Sequence, residues 1–370
     1  MRVAIVTESF VPQINGVANT VRHIVRELVA SGHEPLVIAP GSGPLEHDGV
    51  PVVRVRSVGL PGYRSFPIGL PDAAVRRSLV EFRPDVVHLA SPIALGATGI
   101  RAARRLGIPT VAVYQTDIQG FARQYGIRAD AVLDRWVGHL HRRVDRTLVP
   151  STCSMAQLTA LGVPDLHLWK RGIALDLFRP ERRDRDLAAR WTGGRAITVG
   201  YVGRLAHEKQ VHRLGVLAQL PGVQLVVIGD GPARSELERQ LPGAIFTGML
   251  QGDDLAAAFA TLDVFVHTGD AETFCQTIQE AQASGVAVVA PASGGPLDLV
   301  ESGETGLLFD PTDLGSLWSA VALLRDSGRV RQELAHRAEL AVAGRSWARV
   351  VDELVEQHYR AVLAPATAAA

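Results

Sequence analysis

The chain has 370 residues, of which 47% are apolar and 21% are charged, with equal numbers of acidic and basic side chains. This length and composition are typical of a soluble globular protein with two domains. The two cysteines, Cys153 and Cys275, lie far apart and belong to no Cys/His cluster, which argues against a disulfide framework or a zinc site and favours a reducing cytoplasm.

Membrane and nucleic-acid functions are disfavoured by the same composition. No uncharged run is long enough to cross a bilayer, and the first apolar run ends at Glu8, too early for a signal peptide. Aromatic residues make up only 5% of the chain, and no nucleic-acid-binding signature is present. We therefore expect a cytoplasmic protein that is not integral to a membrane and does not bind nucleic acid.

The neutral total conceals a charge asymmetry between the two halves. Residues 1–150 contain 18 arginines and 12 acidic residues, a balance of +6, and the remainder has the opposite balance. A basic half favours an anionic partner, including peripheral contact with the anionic inner face of the plasma membrane. Solvated helix faces in an arginine-rich chain explain the same asymmetry equally well.

In the first half, short apolar runs alternate with helical patterns, which predicts βα units and a parallel sheet. The predicted strands are 3–7, 34–39, 52–56, 86–89, 110–114 and 146–149. The predicted helices are 17–31, 72–82, 96–106 and 131–143. Ligands of open α/β sheets bind at the carboxyl ends of the strands, so the loops there are the candidate site.

The alternation stops at the charged, turn-rich residues 173–195, which predict a domain boundary, and then resumes. The next predicted strands are 197–202, 224–228, 245–246, 264–267, 286–290 and 306–309. The predicted helices are 234–240, 253–260, 277–283, 297–301, 314–325 and 347–363. The pattern predicts an α/β protein of two Rossmann-like domains with a cleft between them: 1–172, and 173–346. Residues 364–370 are predicted to be a disordered tail.

The strongest chemical signal follows the strand 197–202. Gly203 and Arg204 come directly after it, and Lys209, one of only two lysines in the chain, stands five residues further on. A planar guanidinium and a compact ammonium at a strand end are suited to hold a diphosphate. A surface helix start with Glu208 as a neighbour is the alternative interpretation.

A second signal is the pair of carboxylates Glu272 and Glu280. Glu272 precedes a loop that runs into a predicted helix, and we expect it to accept hydrogen bonds from sugar hydroxyls. Glu280 lies about one turn into that helix, where it could bind a ribose diol. The alternative for each is a glutamate stabilised by the helix dipole. Loop residues whose backbone can approach a donor are Phe274, Cys275, Gln276 and Thr277.

Two segments of the first half also follow strands that end at the predicted cleft. Asn15 and Gly16 precede a helix, where Gly16 allows close approach and the helix N-terminus favours an anion; a simple helix cap is the alternative. Gln115 and Asp117 follow the strand 110–114 and could bind a sugar, although a satisfied cluster of loop polar groups fits equally well.

Other patterns are weak. Gly229-Asp230-Gly231 lacks the third glycine of a dinucleotide fingerprint and predicts a turn, which disfavours a nicotinamide enzyme. Asp184-Arg185-Asp186 resembles a metal-binding DxD motif, but it lies in the charged stretch and is expected to be solvated. We expect no essential metal.

Taken together, these motifs resemble the retaining glycosyltransferases of family 4, which have the GT-B fold. The resemblance covers nearly the whole chain and includes the Asn15-Gly16 loop, Gly203-Arg204 with Glu208-Lys209, Glu272 to Glu280, and 303–310. Within the family the chain is most similar to actinobacterial GDP-mannose-dependent α-mannosyltransferases, through 2–10, 87–92, 113–117 and 272–276.

The resemblance implies metal-independent transfer with retention at the anomeric carbon. It implies that Arg204 and Lys209 hold the diphosphate, that Glu272 binds the donor sugar and that Glu280 binds the ribose. The loop around Met249 would meet the base, and the acceptor would bind the N-terminal domain, onto which the last helix would cross back. Front-face substitution, in which the leaving phosphate takes the acceptor's proton, is the implied mechanism.

One position departs from the family pattern. Many members carry a histidine where Gln115 stands, and glutamine can donate and accept hydrogen bonds but cannot act as an acid. A mechanism that needs a histidine proton at this position therefore does not fit the chain.

The resulting hypothesis is a glycosyltransferase that moves a hexose, mannose from GDP-mannose, to a glycolipid or glycoside acceptor, with no cofactor beyond the nucleotide sugar. Alternatives are another nucleotide sugar with a soluble natural-product acceptor, a sugar-nucleotide 2-epimerase, and a catalytically silent sugar-nucleotide binder. A pyridoxal-dependent phosphorylase is disfavoured because only Lys170 and Lys209 could hold the cofactor.

Overall fold

The structure, a computed structural model, describes residues 1–13, 15–60, 63–115 and 130–364. These residues divide into two compact units. Unit 1 comprises Met1–Gly172 and the C-terminal segment that begins at Trp347, and unit 2 comprises Ile173–Ser346. Within the described part of the chain, no helix is both long and apolar enough to cross a membrane.

Unit 1 is built on an eight-stranded sheet in the order β10-β9-β8-β7-β1-β2-β4-β3, with a separate β5–β6 hairpin. Its strands are β1 Arg2–Thr7, β2 Glu34–Pro40, β3 Glu46–His47, β4 Val50–Val55, β5 Ser57–Leu60, β6 Tyr63–Gly69, β7 Val86–Ala90, β8 Thr110–Val113, β9 Arg146–Val149 and β10 Leu166–Leu168. All neighbours in the large sheet are parallel except β3 and β4. The central strands are continuous buried apolar runs, as expected when helices cover both faces of a sheet.

The helices of unit 1 surround this sheet. They are Gly16–Ala30, Ala73–Phe82, Leu95–Leu106, Asp130–His141 and Thr152–Ala160. The C-terminal segment adds α-helix Trp347–Glu353, π-helix Leu354–Tyr359 and α-helix Arg360–Leu363. This segment is held by buried polar contacts: Trp169 Nε1 donates to the Val350 carbonyl at 3.0 Å, and the Tyr359 hydroxyl lies 2.9 Å from His88 Nδ1.

Unit 2 has a six-stranded parallel sheet in the order β13-β12-β11-β14-β15-β16. The strands are β11 Ile197–Val202, β12 Val223–Ile228, β13 Ile245–Gly248, β14 Val264–Val266, β15 Ala287–Pro291 and β16 Leu307–Phe309. The α-helices are Arg185–Thr192, Arg234–Gln240, Gly252–Thr261, Gln276–Ala283, Leu314–Asp326 and Gly328–Val342. Short 3-10 helices are Pro180–Arg182, His207–Lys209, Val211–Gln219 and Gly295–Asp298. Two apolar clusters, one on each face of the sheet, form its core.

Two predictions of local structure were wrong. A helix was predicted at 297–301, but a 3-10 helix forms at Gly295–Asp298, with Pro296 in its first turn. Residues 173–195 were predicted as a turn-rich stretch without a helix, but they contain the helix Arg185–Thr192; unit 2 begins at Ile173, where the second domain was predicted to begin. Asp184 caps this helix by accepting from the backbone amides of Asp186 and Leu187, and Trp191 is buried, so the charges mark the exposed face of an amphipathic helix.

Candidate active site

The strand order of unit 2 indicates where its candidate site lies. The chain moves from β11 to β12 and β13 on one side, and then returns to β14 and β15 on the other. The order therefore reverses between β11 and β14, and ligands of open α/β sheets bind at such a switch point. The loops that leave β11 and β14 carry Arg204, Lys209 and Glu272, so the sheet brings the predicted residues to one place.

The loop after β11 is held by the turn after β12. The backbone amide of Gly203 donates to the Ile228 carbonyl at 3.0 Å, and that of Leu205 to the Asp230 carbonyl at 2.9 Å. A Cβ at Gly229 would overlap the Gly203 carbonyl oxygen. The Gly229-Asp230-Gly231 turn, predicted from its sequence, thus supports the loop that carries Arg204.

Both predicted diphosphate cations are paired with carboxylates in this structure. Arg204 Nη2 contacts Glu208 Oε1, the neighbour named in the alternative interpretation of this loop. Lys209 Nζ lies 2.5 Å from Glu272 Oε1, across the switch point. Arg204 keeps about a third of its side-chain surface exposed, so a ligand can reach it.

Glu272 is also paired with His267, a residue that was not selected from the sequence. His267 directly follows β14 and has 3% of its surface exposed, and its Nε2 lies 3.5 Å from Glu272 Oε1. A Cβ added to Gly269 would lie 3.1 Å from that Glu272 oxygen and 3.2 Å from His267 Nε2. His267 could have been identified from the sequence as a polar residue at the carboxyl end of a buried strand.

The charges of this cluster support one another. Burial raises the pKa of Glu272, but Lys209 and His267 outweigh it and hold that pKa well below its usual range. Burial lowers the pKa of His267, but Cys275 and Glu272 outweigh it and raise the pKa to about 9. At neutral pH a carboxylate therefore lies between an ammonium and an imidazolium.

A second missed residue, Arg213, fixes the loop after β14. Its Nη1 donates to the Thr268 carbonyl at 2.8 Å, and its Nη2 lies 2.6 Å from Asp270 Oδ2. The Thr268 hydroxyl in turn donates to the Lys209 carbonyl at 2.7 Å. These contacts join the two loops at the switch point through backbone atoms, so the position of Glu272 relative to Lys209 is built into the fold.

The segment from Glu272 to Thr277 is packed against two adjacent glycines, Gly294 and Gly295. The Gly295 amide donates to the Glu272 carbonyl at 2.7 Å, and a Cβ on Gly295 would lie 2.5 Å from Phe274 Cα. Phe274 is buried, and Cys275 precedes the helix Gln276–Ala283 with φ of 81°, a left-handed conformation that is rare outside glycine. The Thr277 hydroxyl lies 3.4 Å from Cys275 Sγ.

Glu280 lies in the middle of that helix, where burial raises the pKa of its carboxyl to about 8. Glu280 lies beyond the first turn of the helix, where the effect of the helix dipole is weak, so the dipole alternative does not describe this residue. The Glu280 side chain is only partly buried, and its carboxyl, when protonated, can donate as well as accept a hydrogen bond. Met249, in the loop after β13, is 55% exposed and can be reached from solvent.

In unit 1 the predicted residues gather around Arg171, which was not selected from the sequence. Arg171 is buried and its Nη2 donates to Gln115 Oε1 at 3.3 Å. A Cβ on Gly16 would lie 3.2 Å from Arg171 Nη1. Gly16 and Gln115, from different βα units, are thus brought to one guanidinium. Asp117 lies outside the described residues.

Asn15 has the structural role of a helix cap, which was the alternative to a ligand-binding role. Its Oδ1 accepts from the amides of Val17 and Ala18 at 3.1 and 3.0 Å, and its Nδ2 donates to the Ser9 hydroxyl at 2.7 Å. It therefore caps the helix Gly16–Ala30, and its side-chain amide is committed to protein contacts. Within the described ranges, no group of three or more His, Cys, Asp or Glu side chains is arranged to hold a metal ion.

Comparison with known proteins agrees with this architecture. The family model described as "Glycosyltransferase Family 4" matches residues 14–177, and one described as "Glycosyl transferases group 1" matches residues 196–327. A GDP-mannose-dependent α-mannosyltransferase of Mycobacterium tuberculosis is 50% identical over 98% of this chain and 97% of the relative. A GDP-mannose-dependent α-(1-6)-phosphatidylinositol dimannoside mannosyltransferase from the same species is 28% identical, over 81% and 82%.

Among solved structures, Anabaena HepE in complex with UDP superimposes with a TM-score of 0.80 at 21% identity, covering 96% of this chain and 99% of HepE. At that identity the likeness shows the fold, and it confirms the predicted class of two Rossmann-like sheets with helices. The family resemblance predicted from the motifs is confirmed by the family models and by the α-mannosyltransferase at 50% identity. The chain belongs to glycosyltransferase family 4.

Proposed function

We propose that the chain transfers mannose from GDP-mannose to a hydroxyl group of a glycolipid or glycoside, with an α-linkage and retention of configuration. The observation that carries this proposal is the cluster of Lys209, Glu272 and His267 at the switch point of unit 2, in a chain half identical to a GDP-mannose-dependent α-mannosyltransferase. The relative that acts on a phosphatidylinositol mannoside supports the glycolipid part.

In the proposed reaction, the bond between the anomeric carbon and the β-phosphate oxygen breaks on the face where the acceptor oxygen forms its new bond. The acceptor's proton passes to the departing phosphate. Negative charge develops on the diphosphate, and Arg204 and Lys209, already placed by the fold, stabilise it. No protein nucleophile and no metal is required in this scheme.

The carboxylates have separate roles. When the diphosphate takes over Lys209, Glu272 keeps His267 as its partner, remains ionised and accepts hydrogen bonds from the sugar hydroxyls. Glu280, whose pKa is raised by burial, exchanges hydrogen bonds with the ribose diol of the donor. Each role uses a group whose charge state is set before the donor arrives, which reduces the reorganisation needed for catalysis.

The test is transfer from radiolabelled GDP-mannose to short-chain glycoside and glycolipid acceptors by the purified chain. We expect turnover that EDTA leaves unchanged, and a fall in kcat of roughly 100- to 1,000-fold for Arg204→Gln and for Lys209→Gln. Arg239→Gln, which changes an exposed arginine of the same unit, serves as the control and should keep full activity. Failure to turn over any nucleotide sugar, or conversion of the donor alone to an epimer, would refute the proposal.

A further inference from the structure

Among the described residues, neither ring nitrogen of His267 has a hydrogen-bond partner of ordinary geometry. The side chain is nevertheless buried, with 3% of the residue exposed. Burial lowers the pKa of His267, but Cys275 and Glu272 raise it to about 9, so at neutral pH both ring nitrogens carry a hydrogen. His267 therefore presents two buried N–H donors at the carboxyl end of β14, and the described part of the protein gives neither of them an acceptor.

The ion pair with Glu272 does not satisfy these donors. Glu272 Oε1 lies 3.5 Å from His267 Nε2, which is longer than an ordinary N–H···O hydrogen bond. The same oxygen makes its short contact with Lys209 Nζ, at 2.5 Å. Buried polar groups in folded proteins are usually hydrogen-bonded, and an unpaired donor costs stability. An oxygen atom of a ligand is the natural acceptor for His267.

Gly269 leaves space for such an atom. A Cβ at this position would lie 3.1 Å from Glu272 Oε1, 3.2 Å from His267 Nε2 and 3.6 Å from the Glu208 carbonyl oxygen. Gly269 has no positive φ, so its backbone conformation does not require glycine. What distinguishes glycine here is the missing side chain, which keeps the space beside both the carboxylate and the imidazole open.

The backbone on both sides of Gly269 is fixed by other loops. Arg213 Nη1 donates to the Thr268 carbonyl at 2.8 Å, and the Ser293 hydroxyl donates to the Asp270 carbonyl at 2.9 Å. The open space therefore does not depend on a ligand for its position. An atom that enters it meets groups that are already in place, which lowers the cost of binding.

The chemistry of the two side chains defines the group that fits beside them. The ionised Glu272 carboxylate can only accept a hydrogen bond, and the protonated His267 can only donate one. A hydroxyl does both, so it can donate to Glu272 and accept from His267 at the same time. A phosphate oxygen would be repelled by the carboxylate. Glu272 keeps 16% of its side-chain surface exposed, so a ligand can reach it.

We propose that one hydroxyl of the donor hexose bridges Glu272 and His267, and that His267 and Gly269 thereby determine which sugar the enzyme accepts. This inference rests on the proposed function, which assigns the diphosphate to Arg204 and Lys209 and the sugar to Glu272. A site that holds a hydroxyl from two sides rejects a sugar that lacks it or carries it in the other configuration, because both protein groups are then left unpaired.

The first test compares the binding of GDP and of GDP-mannose by isothermal titration calorimetry. We expect His267→Leu to weaken GDP-mannose binding by roughly 10- to 100-fold, the range for a hydrogen bond to a charged group. GDP binding should stay unchanged, because GDP has no hexose. His267→Gln keeps an N–H donor and should retain most of the affinity for GDP-mannose. Equal losses for the two ligands would overturn the proposal.

Gly269→Ala tests the open space directly. The added methyl group takes up the room beside Glu272 and His267, so GDP-mannose affinity should fall by roughly 10-fold or more while GDP binding stays at the wild-type value. Gly215→Ala is the matched control, since Gly215 also lacks a positive φ and, outside its own helix, its Cβ would meet only Leu241 Cδ2, at 3.9 Å. Unchanged GDP-mannose binding by Gly269→Ala would refute the proposal.

Monodeoxy forms of GDP-mannose, each of which lacks one sugar hydroxyl, identify the bridging group. One of them should bind the wild-type chain roughly 10- to 100-fold more weakly than GDP-mannose does. For that analogue His267→Leu should cause no further loss, because the contact is already absent. If the loss from the missing hydroxyl and the loss from His267→Leu multiply for every analogue, no hydroxyl contacts His267 and the inference is wrong.

Binding and turnover separate this inference from the proposed function. If GDP-mannose binding depends on His267 as described but no acceptor receives mannose, the proposed transferase activity is wrong and the hydroxyl contact stands. If mannose is transferred normally and the His267 and Gly269 variants bind GDP-mannose as tightly as the wild-type chain, the hydroxyl contact alone is wrong.

Discussion

Glu272 is paired with two cations at once, Lys209 and His267, and this double pairing determines how the site responds to pH. The pKa of His267 is raised from an ordinary 6.5 to about 9, so the folded state binds the proton more tightly than the unfolded state. Its stabilising contribution is therefore full below pH 6.5 and is lost as the pH rises through about 9. The pKa of Glu272 is lowered, so its contribution is present above the ordinary pKa of 4.5 and is lost under strongly acidic conditions.

We therefore predict that His267→Gln removes a pH-dependent part of the stability. In the wild-type chain, the free energy of unfolding should fall by up to roughly 3 kcal/mol between pH 6 and pH 9, because a pKa difference of about 2.5 corresponds to that energy. Urea unfolding of both proteins at the two pH values measures it. Parallel pH dependence in the variant would show that His267 does not hold the proton.

The site residues that could be identified from the sequence differ in one respect from those that could not. Arg204, Lys209 and Glu272 were selected because strands or motifs next to them in the chain marked their positions. Arg213 and His267 take their roles from partners in the folded structure; Arg213, for example, contacts Asp270, 57 residues away in sequence. Arg171 is missed for the same reason, since it meets Gln115 only after unit 1 has folded. A local pattern contains no record of such contacts.

At the scale of elements, tight backbone packing explains why the loops at the switch point are rich in glycine. Gly295 has an ordinary backbone conformation, yet a Cβ there would lie 2.5 to 2.6 Å from three backbone atoms of Phe274. Real Cβ atoms do not approach backbone this closely, so the loop from Glu272 to Cys275 would have to move. The position of Glu272 thus depends on a glycine in another loop.

Gly295→Ala is therefore predicted to destabilise the chain by ~3 kcal/mol, the upper end of the range for overpacking, and to lower kcat because Glu272 shifts. Gly243→Ala is the matched control, since Gly243 also lacks a positive φ and its Cβ would meet nothing within 4 Å. Thermal unfolding and the transfer assay on both variants decide the matter. Equal stability of the two variants would contradict the packing argument.

The same packing explains the errors in predicting elements. Strands such as Ile197–Val202 and helices such as Arg234–Gln240 could be predicted to the residue, because their patterns follow from burial on one or both faces. The 3-10 helix Gly295–Asp298 could not be predicted, because its close approach to Phe274 permits only a short, tight turn. The helix Arg185–Thr192 was hidden because its exposed charges outnumber its one buried residue, Trp191.

At the scale of the whole molecule, unit 1 is assembled from both ends of the chain. The segment from Trp347 onward adjoins unit 2 in sequence but packs in unit 1, where Trp347 stacks on His23 with ring centroids 4.6 Å apart. The Tyr359 hydroxyl reaches the buried His88, and the Arg146 guanidinium donates to the Gln357 carbonyl at 3.0 Å. Unit 1 should therefore depend on this segment for its stability more than unit 2 does.

We predict that Tyr359→Phe lowers the stability of unit 1 by about 1 to 2 kcal/mol, because it leaves the Nδ1 of a buried histidine without its partner. The same segment offers a control in Glu356→Gln, which removes an exposed ion pair with Arg360 and should change little. Amide hydrogen exchange separates the units: protection should fall in Val86–Ala90, the strand that holds His88, and persist in Ile197–Val202. An equal loss of protection in both strands would contradict this prediction. It would show that the two units unfold together and that the C-terminal segment stabilises the whole chain rather than unit 1 alone.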